Sequence, residues 1–155
     1  MSLLLWDTHA LIVLINLSKT CPMTTQLTLS VIEEEVSICR LEPCESIPSW
    51  AHNCVFSSIT RTQDELSIVC FSESVPREID AERGWRILKL DGPFELSLIG
   101  ILSGVANVLK ENAISLFVVS TFDTDYVLVK KESLAEAISA LRNGGYRINL
   151  PVEKA

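Results

Sequence analysis

Histidine is nearly missing from this chain: its 155 residues contain two, His9 and His52, and neither stands near a second metal ligand in sequence. Cysteine is present but unpatterned. Cys21, Cys39, Cys44, Cys54 and Cys70 make an odd count with no C-x-x-C pair, so neither a zinc site nor a disulfide framework is expected. Reduced thiols, several of them buried in strands, fit a cytoplasmic protein. Basic clusters are lacking as well. Net charge is −7 with Lys and Arg scattered, which argues against nucleic acid and anionic membranes as partners. Phosphate-binding glycine loops, dinucleotide fingerprints and Ser/His/Asp or Cys/His arrangements are also absent, so the chain is not expected to be an enzyme or to carry a cofactor.

What remains is apolar. The chain is 48% hydrophobic and 21% charged, and a chain of this length buries roughly 70% of its unfolded surface without a staple. The apolar excess points to a surface that another subunit covers. LLLWDTHALIVLINL (residues 3–17) is too short and too polar to span a bilayer and lacks the basic start of a secretory signal. Residues 1–22 therefore read as an extension, loosely ordered or docked as a short apolar helix, before a body that begins at Met23.

Along that body, residues 27–43 carry two β-rich runs around Glu33, Glu34 and Glu35, an acidic stretch suited to a solvated hairpin tip or bulge rather than to a metal. ESIPSWAHN is a loop or one helical turn with Pro48 at its start. Residues 55–60 and 66–71 form a hairpin about Arg61–Asp64. A polar loop or short helix follows, then a strand, WRILKL. SLIGILSGVANVLKEN reads as a helix from Ser97, its N-cap, to Asn112. Gly100, Ser103, Gly104 and Asn107 fall on one stripe of it, and two glycines in a helix interior imply close approach by a strand, a second subunit or a ligand. The segment is too short to be a membrane pairing motif.

A second hairpin, Ile114–Lys131, turns through STFDTD. Leu116, Val118, Tyr126 and Leu128 alternate there with Phe117, Val119, Val127 and Val129, so both faces are apolar. Helices cover one face only, and the other needs the first half of the chain or a second chain. Ser133 with Glu136 makes a capping box for a helix whose buried stripe is Leu134, Ala137, Ile138 and Leu141, with Gly144-Gly145 as its stop. Tyr146–Ile148 closes as a strand. From Trp85 onward the order is β-α-β-β-α-β, a ferredoxin-like unit, and residues 27–84 read as an abbreviated version of it.

The stretches TRTQDELSIVC, GWRILKL, SLIGILSGVANVL and ISLFVVSTFDTDYVLVKKESL resemble tandem ACT-domain proteins. They are similar to small bacterial standalone members and to the CASTOR arginine sensors of animals, over Leu27 to Ile148. The resemblance implies an α/β (α+β) fold of two ferredoxin-like ACT units in tandem, with antiparallel sheets and helices on one face. It divides the chain into an extension (1–22), an abbreviated unit (23–84), an ACT domain (85–150) and a tail (151–155). It implies a non-enzymatic sensor or regulatory module that binds a small molecule, an amino acid, in a homodimer that acts on a further protein. In the sensors' pattern one unit supplies Ser115 and Leu116, and the other Gly100, Ile101, Thr121, Phe122 and Asp125. Asp125 becomes the ligand's partner and Asp123 a turn residue. The sensors' acidic residue two positions before the helical glycine is Leu98 here, which favours a less cationic or more apolar amino acid. The competing readings are a dimerisation module with no ligand and a small enzyme that uses Asp125.

Overall fold

The computed structural model describes residues 26–52, 54–94 and 99–151. The expected extension over residues 1–22, and the roles given to Ser97 and Leu98, lie outside the described residues.

The chain opens with one long strand, β1 (Thr28–Leu41), where the sequence predicts two runs. The acidic stretch does not break it. Val31 faces Leu88 and Glu35 faces Arg86, so β1 advances four residues while its neighbour moves two, and Ile32–Glu34 bulge out. On its other edge β1 changes partner at this same place. Thr28–Ser30 pair with one strand and Val36–Leu41 with another, which leaves Glu33 and Glu34 exposed to water.

A single turn of helix, α1 (Ser49–His52), leads to the hairpin β2 (Ser57–Arg61) and β3 (Leu66–Phe71), closed by Thr62 N–H to Glu65 carbonyl at 2.9 Å. A 3-10 turn (Ser72–Ser74) and a loop precede β4 (Ala81–Leu90). β4 starts four residues earlier than WRILKL indicates, because Gly84 at φ +75° absorbs an extra residue against β1 rather than ending the strand. Then come α2 (Ile101–Glu111), β5 (Leu116–Ser120), β6 (Asp125–Lys130), α3 (Leu134–Asn143) and β7 (Arg147–Asn149).

All seven strands belong to one sheet in the order β2-β3-β1-β4-β6-β5, with β7 parallel to the first residues of β1 and every other pair antiparallel. A free-standing β-α-β-β-α-β unit would set β7 against β4. Here β1 lies between them, so the C-terminal unit is completed by a strand from the first half.

Both faces of the β5–β6 hairpin are apolar as expected, but the grouping differs. Leu116 faces Val129 and Val118 faces Val127, so these four share a side, and Phe117, Val119, Tyr126 and Leu128 share the other. The two-residue turn sets this register, which strand periodicity alone leaves free. On the first side α2 and α3 pack Val105, Leu109, Ala137 and Leu141 against Leu29, Leu88, Val127 and Val129. On the second the sheet curls on itself: Val36, Val69, Ile87 and Leu128 are buried together, and Phe56, beside the β2 edge, sits 5.0 Å from the Tyr126 ring of β6. The first half of the chain supplies the missing cover. A third cluster, including Cys39, Leu66, Ile68, Cys70 and Ala51, fills the space under α1.

The helix ends depart from the sequence reading. α2 begins at Ile101, with Gly100 as N-cap at φ +92°, a left-handed conformation that stops the helix from reaching back to residue 97. Its small-residue stripe has separate causes. A Cβ on Gly104 would come within 2.6 Å of the Tyr146 hydroxyl, whereas one on Gly100 would meet only Ser103 Oγ at 3.8 Å. The close partner of Gly104 is thus the turn after α3. Ser133 makes no capping bond, because a 3-10 turn (Lys131–Ser133) runs straight into α3. The glycine stop holds: Gly145 takes φ +90°, and the amides of Tyr146 and Gly145 reach the carbonyls of Leu141 and Arg142, each at 3.0 Å.

Cys39 and Cys70 are fully buried on β1 and β3. Burial, with Cys54 and Cys39 nearby, pushes the Cys70 thiol up to about 12 from 9.0, and burial also raises Cys39. Because both folded values are raised, the neutral thiols stabilise the fold fully below pH 9, and that stability is lost as pH climbs from about 9 towards 12. Melting temperature is expected to fall over this window. Cys70→Ala should flatten the decline; an unchanged slope would remove Cys70 as its source.

Candidate functional site

One end of the sheet, where β4 finishes and β6 begins, gathers most of the residues singled out above. Thr121 N–H bonds the Thr124 carbonyl at 2.9 Å, and Thr121 Oγ1 donates to the same oxygen at 2.9 Å. Phe122 and Asp123 therefore form the tip of a two-residue turn. Thr124 is buried and donates its hydroxyl to the Leu90 carbonyl at 2.5 Å, tying the turn to the end of β4. The chain leaving β4 then crosses the turn, and Phe94 N–H reaches the Asp123 carbonyl at 2.9 Å. Gly92 permits this crossing, since a Cβ there would lie 2.8 Å from that carbonyl.

Asp125 heads β6 opposite Ser120, whose hydroxyl donates to its Oδ1 at 2.5 Å. That bond fixes the carboxylate, and among the described residues nothing donates to Oδ2. The amides of Ile101, Leu102 and Ser103 precede the first intrahelical bond of α2, Gly104 N–H to Gly100 carbonyl at 3.0 Å, and Gly100 has no side chain to cap them. Such an end attracts negative charge.

Between α2 and the hairpin lies a cleft of about 530 Å³. Gly100, Ile101, Leu102, Ser103 and Ala106 form its helical wall, Thr121 to Asp125 the opposite wall, and Phe94 joins the two. Five of the seven expected residues (Gly100, Ile101, Thr121, Phe122 and Asp125) thus share one cleft within a single chain. Ser115 and Leu116 do not join them. They line a second cleft, also about 530 Å³, with Asn107, Lys110, Ala113 and Ile114, and Ala106 borders both. Ile99 beside Gly100 and Phe122 at the hairpin tip are 97% and 79% exposed.

Phe94, Leu102, Ala106 and Thr124 line the cleft without having been singled out. An aromatic directly after Asp-Gly-Pro was the available signal for Phe94; an alanine on a helix gives none. Asp123 also lines the cleft, and its backbone carbonyl holds Phe94 as a turn residue would. Among the described residues no three His, Cys, Asp or Glu side chains converge on a possible metal position, and no helix is long and apolar enough to cross a membrane.

The comparisons bear on the family and the fold. Residues 80–143 match the ACT domain family model, and residues 34–78 match a model described as an N-terminal domain. The chain carries an ACT domain, a module class that is regulatory rather than catalytic. It belongs to the same family as the protein Atu0741 of Agrobacterium tumefaciens: the two are 38% identical over 84% of this chain and 98% of that one, with a TM-score of 0.78. A Vibrio cholerae protein of unknown function, described as a possible transport protein, has a TM-score of 0.65 at 17% identity over 77% of this chain and 91% of its own. The regulatory subunit of aspartate kinase from Thermus flavus has a TM-score of 0.53 at 9% identity over 77% and 97%. These last two share the fold. No functionally curated protein matches.

Proposed function

We propose that this chain is a non-enzymatic regulatory module that binds an amino acid in the cleft between the start of α2 and the β5–β6 turn. The observation that carries the reading is the meeting of Gly100, Ile101, Thr121, Phe122 and Asp125 around one cleft. The amides at the start of α2 suit a carboxylate, and the free oxygen of Asp125 suits an ammonium, so the two walls present the complement of a zwitterion. The fold shared with a regulatory subunit of aspartate kinase supports regulation rather than turnover.

In this reading residues 23–84 and 85–150 are two ACT-like units sharing one sheet, as in tandem ACT proteins and the CASTOR sensors. Two copies of the chain associate, in the cytoplasm, so that the Ser115–Leu116 cleft of one approaches the Asp125 cleft of the other. The exposure of Ile99 and Phe122 beside the cleft favours such cover. It equally favours the second reading, a dimerisation module without a ligand.

Thermal-shift screening against the standard amino acids separates the two. A ligand at 100 times its dissociation constant adds about 2.7 kcal/mol of stability. Asp125→Asn keeps an acceptor for Ser120 but removes the charge, and it is expected to abolish the shift while the unliganded melting temperature stays put. A stable dimer with no response to any amino acid would establish the second reading, and a ligand bound equally well by Asp125→Asn would remove Asp125 from the site.

A further inference from the structure

Building on the amino-acid reading just given, we infer that the ligand is an α-amino acid with an uncharged apolar side chain, and that Ala106 sets how large that side chain is. The cleft holds no lysine or arginine among its described lining residues, while Asp123 and Asp125 both border it. An acidic side chain would meet two like charges and no counter-charge. Both carboxylates sit on the hairpin wall. With the ligand's ammonium at Asp125 and its carboxylate at the start of α2, the side chain is left to run along the helix over Leu102 towards Ala106. Among the described residues no carboxylate lines that end of the cleft for a lysine or arginine, and a cation buried without a partner carries a heavy desolvation cost. A pair formed with exposed Asp123 instead would add little, because water screens it.

Side chains that need a hydrogen-bond donor fare no better. The hydroxyl protons of Ser103, Thr121 and Thr124 are already given to the carbonyls of Gly100, Thr124 and Leu90, at 3.0, 2.9 and 2.5 Å. These hydroxyls keep lone pairs that accept but have no proton left to give, so they offer the ligand's side chain acceptors and carbon only. Ala106 borders this cleft and its neighbour alike, so the methyl group marks the waist between them. A leucine at this position would fill the far end of the first cleft with little change in helix propensity, since both residues favour helix.

Calorimetric titration with leucine, isoleucine, valine, methionine, phenylalanine and alanine, against aspartate, glutamate, arginine and lysine, tests the inference. Apolar amino acids are expected to bind and the four charged ones not. Ala106→Leu should weaken leucine and phenylalanine by about tenfold or more relative to alanine, the effect of roughly 1.4 kcal/mol. Preferential binding of a charged amino acid would overturn the inference while leaving the regulatory reading standing. Leucine affinity unmoved by Ala106→Leu would overturn the role of Ala106, and no binding by any amino acid would overturn both readings.

Discussion

A fragment of residues 80–151, the matched ACT domain with its last strand, is expected not to fold cooperatively by itself. Among the described residues β7 pairs only with Thr28–Ser30 of β1, so without the first half its three residues lose that strand neighbour. Removing β1 and β3 also strips Leu29, Val31, Val36 and Val69 from the two C-terminal clusters, all 7% exposed or less. At about 1.5–3 kcal/mol for each buried side chain, their loss is comparable with the roughly 5–15 kcal/mol that holds a whole domain together. On the curled face the damage is larger still, because Ile87 and Leu128 lose Phe56 and Phe71 as cover. Circular dichroism should show no sharp melting transition, and a hydrophobic dye should bind. Mixing in residues 26–79 should restore both the transition and dye exclusion. A fragment that melts cooperatively without this help would mean that β7 can close against β4 as in an isolated unit, and the shared sheet would then be dispensable.

This dependence explains which parts of the fold were legible in the sequence. The β5–β6 hairpin and the two long helices stand out because local periodicity decides them, and the need for a cover on the second face followed from two apolar sides. The identity of β7's neighbour did not follow. A three-residue parallel pairing depends on where a strand more than 110 residues earlier comes to lie. For Glu33–Glu35 the sequence left a hairpin tip and a bulge open, and a solvated bulge forms where a continuous strand exchanges one partner for another.

The site divides in the same manner. Gly100 and Asp125 were accessible through family resemblance, and the physical cause of each became visible only in three dimensions. Gly100 adopts a left-handed conformation that stops α2, and Asp125 is oriented by Ser120 across the hairpin. Phe94 enters the cleft because Gly92 lets the chain pass close over the Asp123 carbonyl, a contact between segments about 30 residues apart that no local pattern encodes. The resemblance already drew Ser115 and Leu116 from a different unit, whereas the shape of their own cleft depends on how α2 lies across the sheet.

The position of α2 is itself open to a sharp test. Gly104→Ala is expected to destabilise the protein by about 1–3 kcal/mol, the usual cost of forcing an extra group into a packed contact. A Cβ there would sit 2.6 Å from the hydroxyl oxygen of Tyr146 but 4.0 Å from the ring carbon that bears it. The Tyr146 backbone is held, with its amide bonded to the Leu141 carbonyl and Gly145 at φ +90°, so relief must come from turning the half-buried ring that packs against the helical core. Tyr146→Phe removes the clashing atom alone. In that background the remaining contact is ordinary, and alanine in place of a helical glycine should stabilise by about 1 kcal/mol. The same substitution is therefore expected to change sign between the two backgrounds, read as urea midpoints of the four proteins of the cycle. Additive effects would mean that α2 and the α3–β7 turn shift apart without strain. Because Gly104 lies half a turn before Ala106, such slack would also loosen the wall of the cleft, and ligand affinity measured in the same four proteins would report it.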